Sequence, residues 1–117
     1  MPGCIPPAEP LRLGHIHWPG YEPLTLADDL GYFGKTPVQV LHYSSGTQLK
    51  RAFRYRVVEV AAVSLVEAME LARLDPEVRI LLALDYSSGA DVILGQPGIS
   101  TMADLRGRRV GYEFGGI

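Results

Sequence analysis

Three histidines, several hydroxyl-rich turns and a few aromatic residues hold most of the reactive chemistry of this 117-residue chain. His15 and His17 lie two apart, on one face of any extended strand, and His42 sits near the end of a second apolar run. Three imidazoles gathered at one strand end are competent zinc ligands. The simpler account makes His15 a hydrogen-bonded sheet residue and His17 a loop residue, and no metal is expected. Cys4 is the single cysteine, so neither an internal disulfide nor a structural zinc site can be built from cysteine alone. No serine lies in a G-x-S-x-G turn, and a Cys/His pair would have to recruit Cys4 from the N-terminal arm, so no catalytic residue is assigned and an enzyme is not expected.

The hydroxyls point to binding instead. Ser44, Ser45 and Ser64 each precede a stretch with helical spacing, and Ser87 and Gly89 lie in the polar loop Asp85–Asp91. Hydroxyls and backbone N–H groups at helix N-termini favour an anionic or polar group. The plain role of Ser44, Ser64 and Ser100 is to cap helices. Trp18, Tyr21 and Tyr43 can wall an apolar body or stack on a ring, although Trp18 also suits a residue that covers a sheet end. With Glu22 and Asp91, the candidate ligand-binding set is Trp18, Tyr21, Glu22, Tyr43, Ser44, Ser45, Ser64, Ser87, Gly89 and Asp91. Asp91 serves equally well to fix a hinge loop.

The elements that position these groups follow from periodicity. Leu11–Trp18 alternates as a strand and is stopped by Pro19-Gly20. Glu22–Phe33 repeats apolar residues at Leu26, Leu30 and Phe33 as a helix, ended by Gly31 and Gly34. Val38–Tyr43 reads as the second strand, Gln48–Tyr55 as a helix burying Leu49, Ala52 and Phe53, and Val57–Val63 as the third strand. Ser64 caps a helix over Leu65–Leu74 with Leu65, Ala68, Met69 and Ala72 inward. Val78–Leu84 has the near-continuous apolar character of a strand buried on both faces. Asp91–Gly95 and Arg109–Phe114 are further strands, separated by a short helix capped at Ser100 or Thr101. This alternation predicts an α/β fold with a mainly parallel sheet and helices on both faces. Ligands of such sheets sit at the carboxyl ends of the strands, where the candidate residues fall.

Composition narrows the classes. A hydrophobic fraction of 47% and a charged fraction of 21% are those of an ordinary globular chain, and a net charge of −2 excludes reliance on phosphate-backbone neutralisation, so no nucleic-acid partner is expected. No apolar stretch reaches the ~18 residues of a membrane span. The start, MPGCIPPAEP, lacks the basic and apolar regions of a signal peptide. Gly3-Cys4 before a proline-rich stretch nevertheless resembles the end of a bacterial lipobox, which would make Cys4 a lipid anchor.

Five segments, in order, resemble the nitrate/sulfonate/taurine and thiamine-precursor family of substrate-binding proteins: LRLGHIHWPGYEPLTLADDLGYF, VQVLHYSSGTQLKRAF, VEVAAVSLVEAMEL, LLALDYSSGADVILG and ISTMADLRGRRVGYEFGG. The resemblance runs from Leu11 to Ile117. It implies the type II periplasmic-binding-protein fold, in which two lobes close on a ligand, and a role as the periplasmic or extracytoplasmic solute-binding component of an ABC importer that delivers ligand to a membrane permease. The implied ligand is a small organic anion or a heteroaromatic or sulfonate-like molecule, with no cofactor. Residues 1–10 would form the proline-rich arm, 11–98 lobe one with the hinge segment, and 99–117 the start of an incomplete second lobe. The family's usual glycine before the third strand is replaced near Arg56-Val57-Val58, with Glu59 as the acid. Pyrimidine-synthase and menaquinone-pathway enzymes share the fold and supply the alternative function, as does a ligand-sensing or self-associating module. A truncated lobe leaves strand edges unpaired and predicts self-association.

Overall fold

A computed structural model describes residues 9–89 and 92–112. Cys4, Asp91 and the end of the expected last strand lie outside the described residues. Three parallel strands, β1 (Leu11–Ile16), β2 (Val38–Tyr43) and β3 (Val60–Ala61), form one sheet in the order β2-β1-β3. The helices are α1 (Glu22–Asp29), α2 (Gly46–Arg54) and α3 (Leu65–Leu74), with 3₁₀ turns at Pro19–Tyr21 and Met102–Leu105. The expected α/β alternation and parallel sheet are therefore present.

Register decides what each face carries. Leu13 pairs with Val40 and His15 with His42, while Gly14 pairs with Leu41 and Ile16 with Tyr43. In-register partners share a face. The Gly14 face packs on α2: Leu49 and Ala52 join Val58 in a buried cluster, flanked by Ile16, Leu41, Tyr43 and Phe53. Gly14 is required there, because a Cβ would stand 2.6 Å from Leu49 Cδ1 and 3.0 Å from the Tyr43 ring. The His15 face meets α1, where Thr25 Oγ1 lies 3.2 Å from His15 Nε2. Helices thus cover both faces, α1 on one and α2 on the other.

Several boundaries differ from the sequence expectation. β1 ends at Ile16, not Trp18, because the 3₁₀ turn begins at Pro19. α1 stops at Asp29 rather than Phe33, and glycines with φ of +68° and +60° at Gly31 and Gly34 take the chain through turns. Leu26 and Leu30, expected inside, are more than half exposed. α2 starts earlier than expected, at Gly46, and ends at Arg54. Arg56 then adopts φ of +56°, and Val57 N–H returns to Ala52 O at 2.9 Å, closing α2 with a non-glycine residue in the left-handed conformation. That turn delays β3, which covers Val60–Ala61 instead of Val57–Val63.

The inward stripe of α3 also differs. Glu67 and Leu71 are buried, whereas Leu65 and Met69 are exposed. The capping box turns Glu67 inward: its backbone N–H donates to Ser64 Oγ, and its carboxylate accepts from the Ser64 N–H.

Val78–Leu84 enters no ladder. Val78 lies beside Arg12 and Val58 at the start of the sheet, and the Asp85 side chain packs on Gly20 at its far end. Ile80, Leu81 and Leu82 remain 67%, 78% and 72% exposed. A strand of this composition becomes regular when a ladder partner and cover on both faces are present, and the described residues do not supply them. The expected strands at 91–95 and 109–114 are likewise absent over residues 92–95 and 109–112. The helix after Thr101 is a 3₁₀ turn, capped by Asp104, which accepts from the Ser100 and Thr101 N–H groups. No helix among the described residues is long and apolar enough to cross a membrane.

Candidate functional site

Each strand's carboxyl end opens onto the same edge of the sheet. After β1 come His17, Trp18 and the 3₁₀ turn ending at Tyr21; after β2, Ser44, Ser45 and Gly46; after β3, Ala62, Val63 and Ser64. The chain leaves β1 toward β2 on one side, then crosses back to β3 on the other. In open α/β sheets such a reversal, here between β1 and β3, marks the carboxyl-end position where ligands sit.

Trp18, just after β1, is extended and 37% exposed. Tyr21 is half-buried, and burial raises its pKa, with the negative charges of Glu67 and Asp85 acting in the same direction. Its hydroxyl is therefore a proton donor across the physiological range. Asp85 packs on Gly20 so closely that a Cβ there would lie 2.6 Å from Oδ2 and 2.9 Å from the aspartate Cβ. Its Oδ1 accepts from the Tyr86 N–H at 2.7 Å.

The serines are already engaged. Ser45 Oγ accepts from the Gln48 N–H at 3.3 Å, and Ser44 donates to Gln48 Oε1 at 2.8 Å. Ser64 Oγ donates to Glu67 Oε2 at 3.1 Å. The Glu67 carboxylate, 5% exposed as a residue, also reaches the α2 N-terminus, where Oε1 lies against Gly46, and Lys50 Nζ stands 3.6 Å from it. Lys50 bonds Glu70 at 2.9 Å, and that bond is the main cause of its raised pKa.

The histidine rings adjoin one another, His42 tilted against His15 and stacked on His17. His15 and His42 rings are 4.1 Å apart between centroids, and His17 and His42 are 4.9 Å apart. His15 is fully buried, its Nδ1 3.0 Å from Ile16 O and its Nε2 against Thr25. Both contacts are satisfied by the neutral ring with the proton on Nδ1. Burial lowers the His15 pKa, opposed by the Ile16 carbonyl and reinforced by His42. Among the described residues, no group of three His, Cys, Asp or Glu side chains is placed to hold a metal ion.

No family model, curated protein or solved structure matches this chain. The site therefore stands on its own geometry.

Of the candidate residues, the fold brings Trp18, Tyr21, Ser44, Ser45 and Ser64 to one edge. Glu22 opens α1 beside them, its Oε1 3.8 Å from His17 Nδ1. Tyr43 packs its ring on Gly14 and the α2 core, a structural position rather than an open wall. Ser87 and Gly89 lie in the exposed loop beyond Asp85, with Gly89 at φ of +76°. Two residues at the edge were missing from the sequence set, Glu67 and Asp85. Glu67 was legible as the fourth residue of the Ser64-x-x-Glu67 capping pattern. Asp85 had no signal beyond its place after an apolar run. Two open grooves, of about 580 and 480 Å³, lie away from this edge, along α2 and α3 and at the amino ends of the strands.

Proposed function

We propose that this chain is the capture component of an ABC importer, in the periplasm or otherwise outside the cytoplasm, and that it binds a small organic ligand at the carboxyl edge of its sheet. The observation that carries this reading is the β2-β1-β3 parallel order, whose reversal between β1 and β3 is where open α/β sheets bind ligands. The lobe corresponds to one half of a type II periplasmic-binding-protein fold, and the partner that receives the ligand is the membrane permease.

The ligand is a small organic anion or a sulfonate-like or heteroaromatic molecule. Trp18 supplies a stacking face, and the protonated Tyr21 hydroxyl supplies a donor. Because Ser44, Ser45 and Ser64 are occupied by internal bonds, an acidic ligand would have to displace those contacts. A heteroaromatic ligand would not, and this favours the aromatic end of the range.

Trp18 is the only tryptophan, so its fluorescence reports this edge alone. Titration with taurine, an alkanesulfonate, nitrate and an aminopyrimidine is expected to give a saturable change with at least one of them. Trp18→Phe should remove the optical signal while the matching thermal upshift persists. Neither a fluorescence change nor a thermal shift with any of the four overturns the reading.

A further inference from the structure

The two grooves are one trough. They share Arg54, Leu71 and Leu74, and together they follow the outer side of α2 where it meets α3. The trough offers apolar surface: Leu74 and Tyr55 are 57% and 71% exposed along it, above the buried Val58 and Leu71. The rim carries both signs with a cationic excess. Glu59 and Glu70 on it are paired with Arg12 and Lys50, which leaves Arg51, Arg54 and Arg56 against Asp75, and none of these three arginines joins an ion pair found among the described residues. Arg51 lies 5.9 Å from the centre of the Tyr55 ring, which holds its guanidinium on the surface.

The complementary shape lies elsewhere on the same chain. Glu22, Leu26, Asp29 and Leu30 fall on one side of α1, at helical spacings. Leu26 is 56% and Leu30 53% exposed. Asp28 and Asp29 occupy the last turn of α1, which contains no basic residue. Carboxylates there face the negative end of the helix dipole, and neither aspartate has an ion-pair partner among the described residues. Local physics disfavours this arrangement, and an uncompensated local violation is a sign of an external purpose.

We infer that α1 of one copy docks into the α2–α3 trough of a second copy. Leu26 and Leu30 meet the exposed apolar part of the trough, and Asp29, on their side of α1, meets Arg51, Arg54 and Arg56, with Asp28 adding negative charge at the same helix end. Helix-in-groove recognition uses this pairing of apolar anchors and rim charges. The eight residues of α1 and the nine of α2 have matching lengths, about 12 and 14 Å at 1.5 Å per residue. The contact forms between copies because α1 covers the His15 face of the sheet and α2 the Gly14 face, so a chain's own α1 cannot reach its own trough. Helix and trough are different surfaces, which makes the contact heterologous and lets it repeat head to tail. It is independent of the ligand reading and leaves the carboxyl edge free.

Sedimentation velocity over a wide concentration range tests it with two charge-reversed variants. The wild-type chain should rise above its monomer mass of 12.8 kDa with concentration, less so at high ionic strength. Asp28→Arg/Asp29→Arg and Arg51→Glu/Arg54→Glu should each weaken self-association about tenfold or more. Mixed together, the two variants present complementary surfaces at both contacts and should associate again. The aspartate pair can be reversed without cost to α1, since arginine suits that helix end. Should the arginine variant lose its helical circular dichroism, Arg51→Gln/Arg54→Gln replaces it and must still lose association. A wild-type monomer at every concentration overturns the inference, as does association unaffected by the Asp28 and Asp29 reversal. Failure of the mixture to associate overturns it as well.

Discussion

The carboxylate of Glu67 lies directly against the Cα of Gly46, joining the first turn of α3 to the first turn of α2. One side chain therefore caps its own helix through Ser64 and occupies the N-terminal end of its neighbour.

Gly46→Ala should destabilise the fold by about 1–3 kcal/mol, because Glu67 is held by Ser64 and Lys50 and cannot move aside freely. Urea unfolding measures the loss. Combining the change with Glu67→Ala should cost less than the sum of the two single changes, since each removes the other's conflict.

Arg56→Gly should stabilise the chain by about 1 kcal/mol, because a left-handed residue after a helix is tolerated best as glycine. The hydrogen bond from the Arg12 guanidinium to the residue 56 carbonyl is retained, since it uses the backbone. An unchanged or lower urea midpoint would contradict the account.

The Arg12–Glu59 pair predicts an acid limit. Hydrogen bonds from the Arg12 side chain and its backbone N–H hold Glu59 down to about 2. Protons therefore bind the unfolded chain first. The stabilisation is complete above the ordinary carboxylate pKa of 4.5 and disappears as pH falls toward 2. Glu59→Gln should flatten the dependence of the urea midpoint on pH within that window.

His15 predicts a second, milder dependence. Its pKa is lowered by burial, so the unfolded state takes up a proton first as pH falls below the ordinary value of 6.5. Stability should be full above that pH and decline as pH falls through it toward the lowered folded value. Nuclear magnetic resonance titration of the imidazole and urea midpoints between neutral and mildly acidic pH measure both sides. His15→Leu should remove this component of the slope.

Much of the fold was legible because local rules and packing agree at those positions. Alternation in Leu11–Ile16 and Val38–Tyr43, and the spacing of Leu49, Ala52 and Phe53, demand the strands and the helix that form. The rest depends on contacts distant in sequence. Leu26 and Leu30 have helical periodicity, yet periodicity names a stripe without supplying its cover. Val78–Leu84 has strand composition, yet a ladder needs a second chain segment. Tyr43 looks like an open aromatic wall until the register points it at Gly14.

By itself, then, the sequence determined an α/β chain of parallel strands and helices, with aromatic and hydroxyl residues at the strand ends, because side-chain period and turn chemistry are properties of neighbouring residues. The tertiary structure alone decided that Glu67 is buried against Gly46, that His42 meets the rings of His15 and His17, and that α1 and α2 lie on opposite faces. Those outcomes depend on strand order and register, which bring residues 20 to 50 positions apart into contact and which no local pattern encodes.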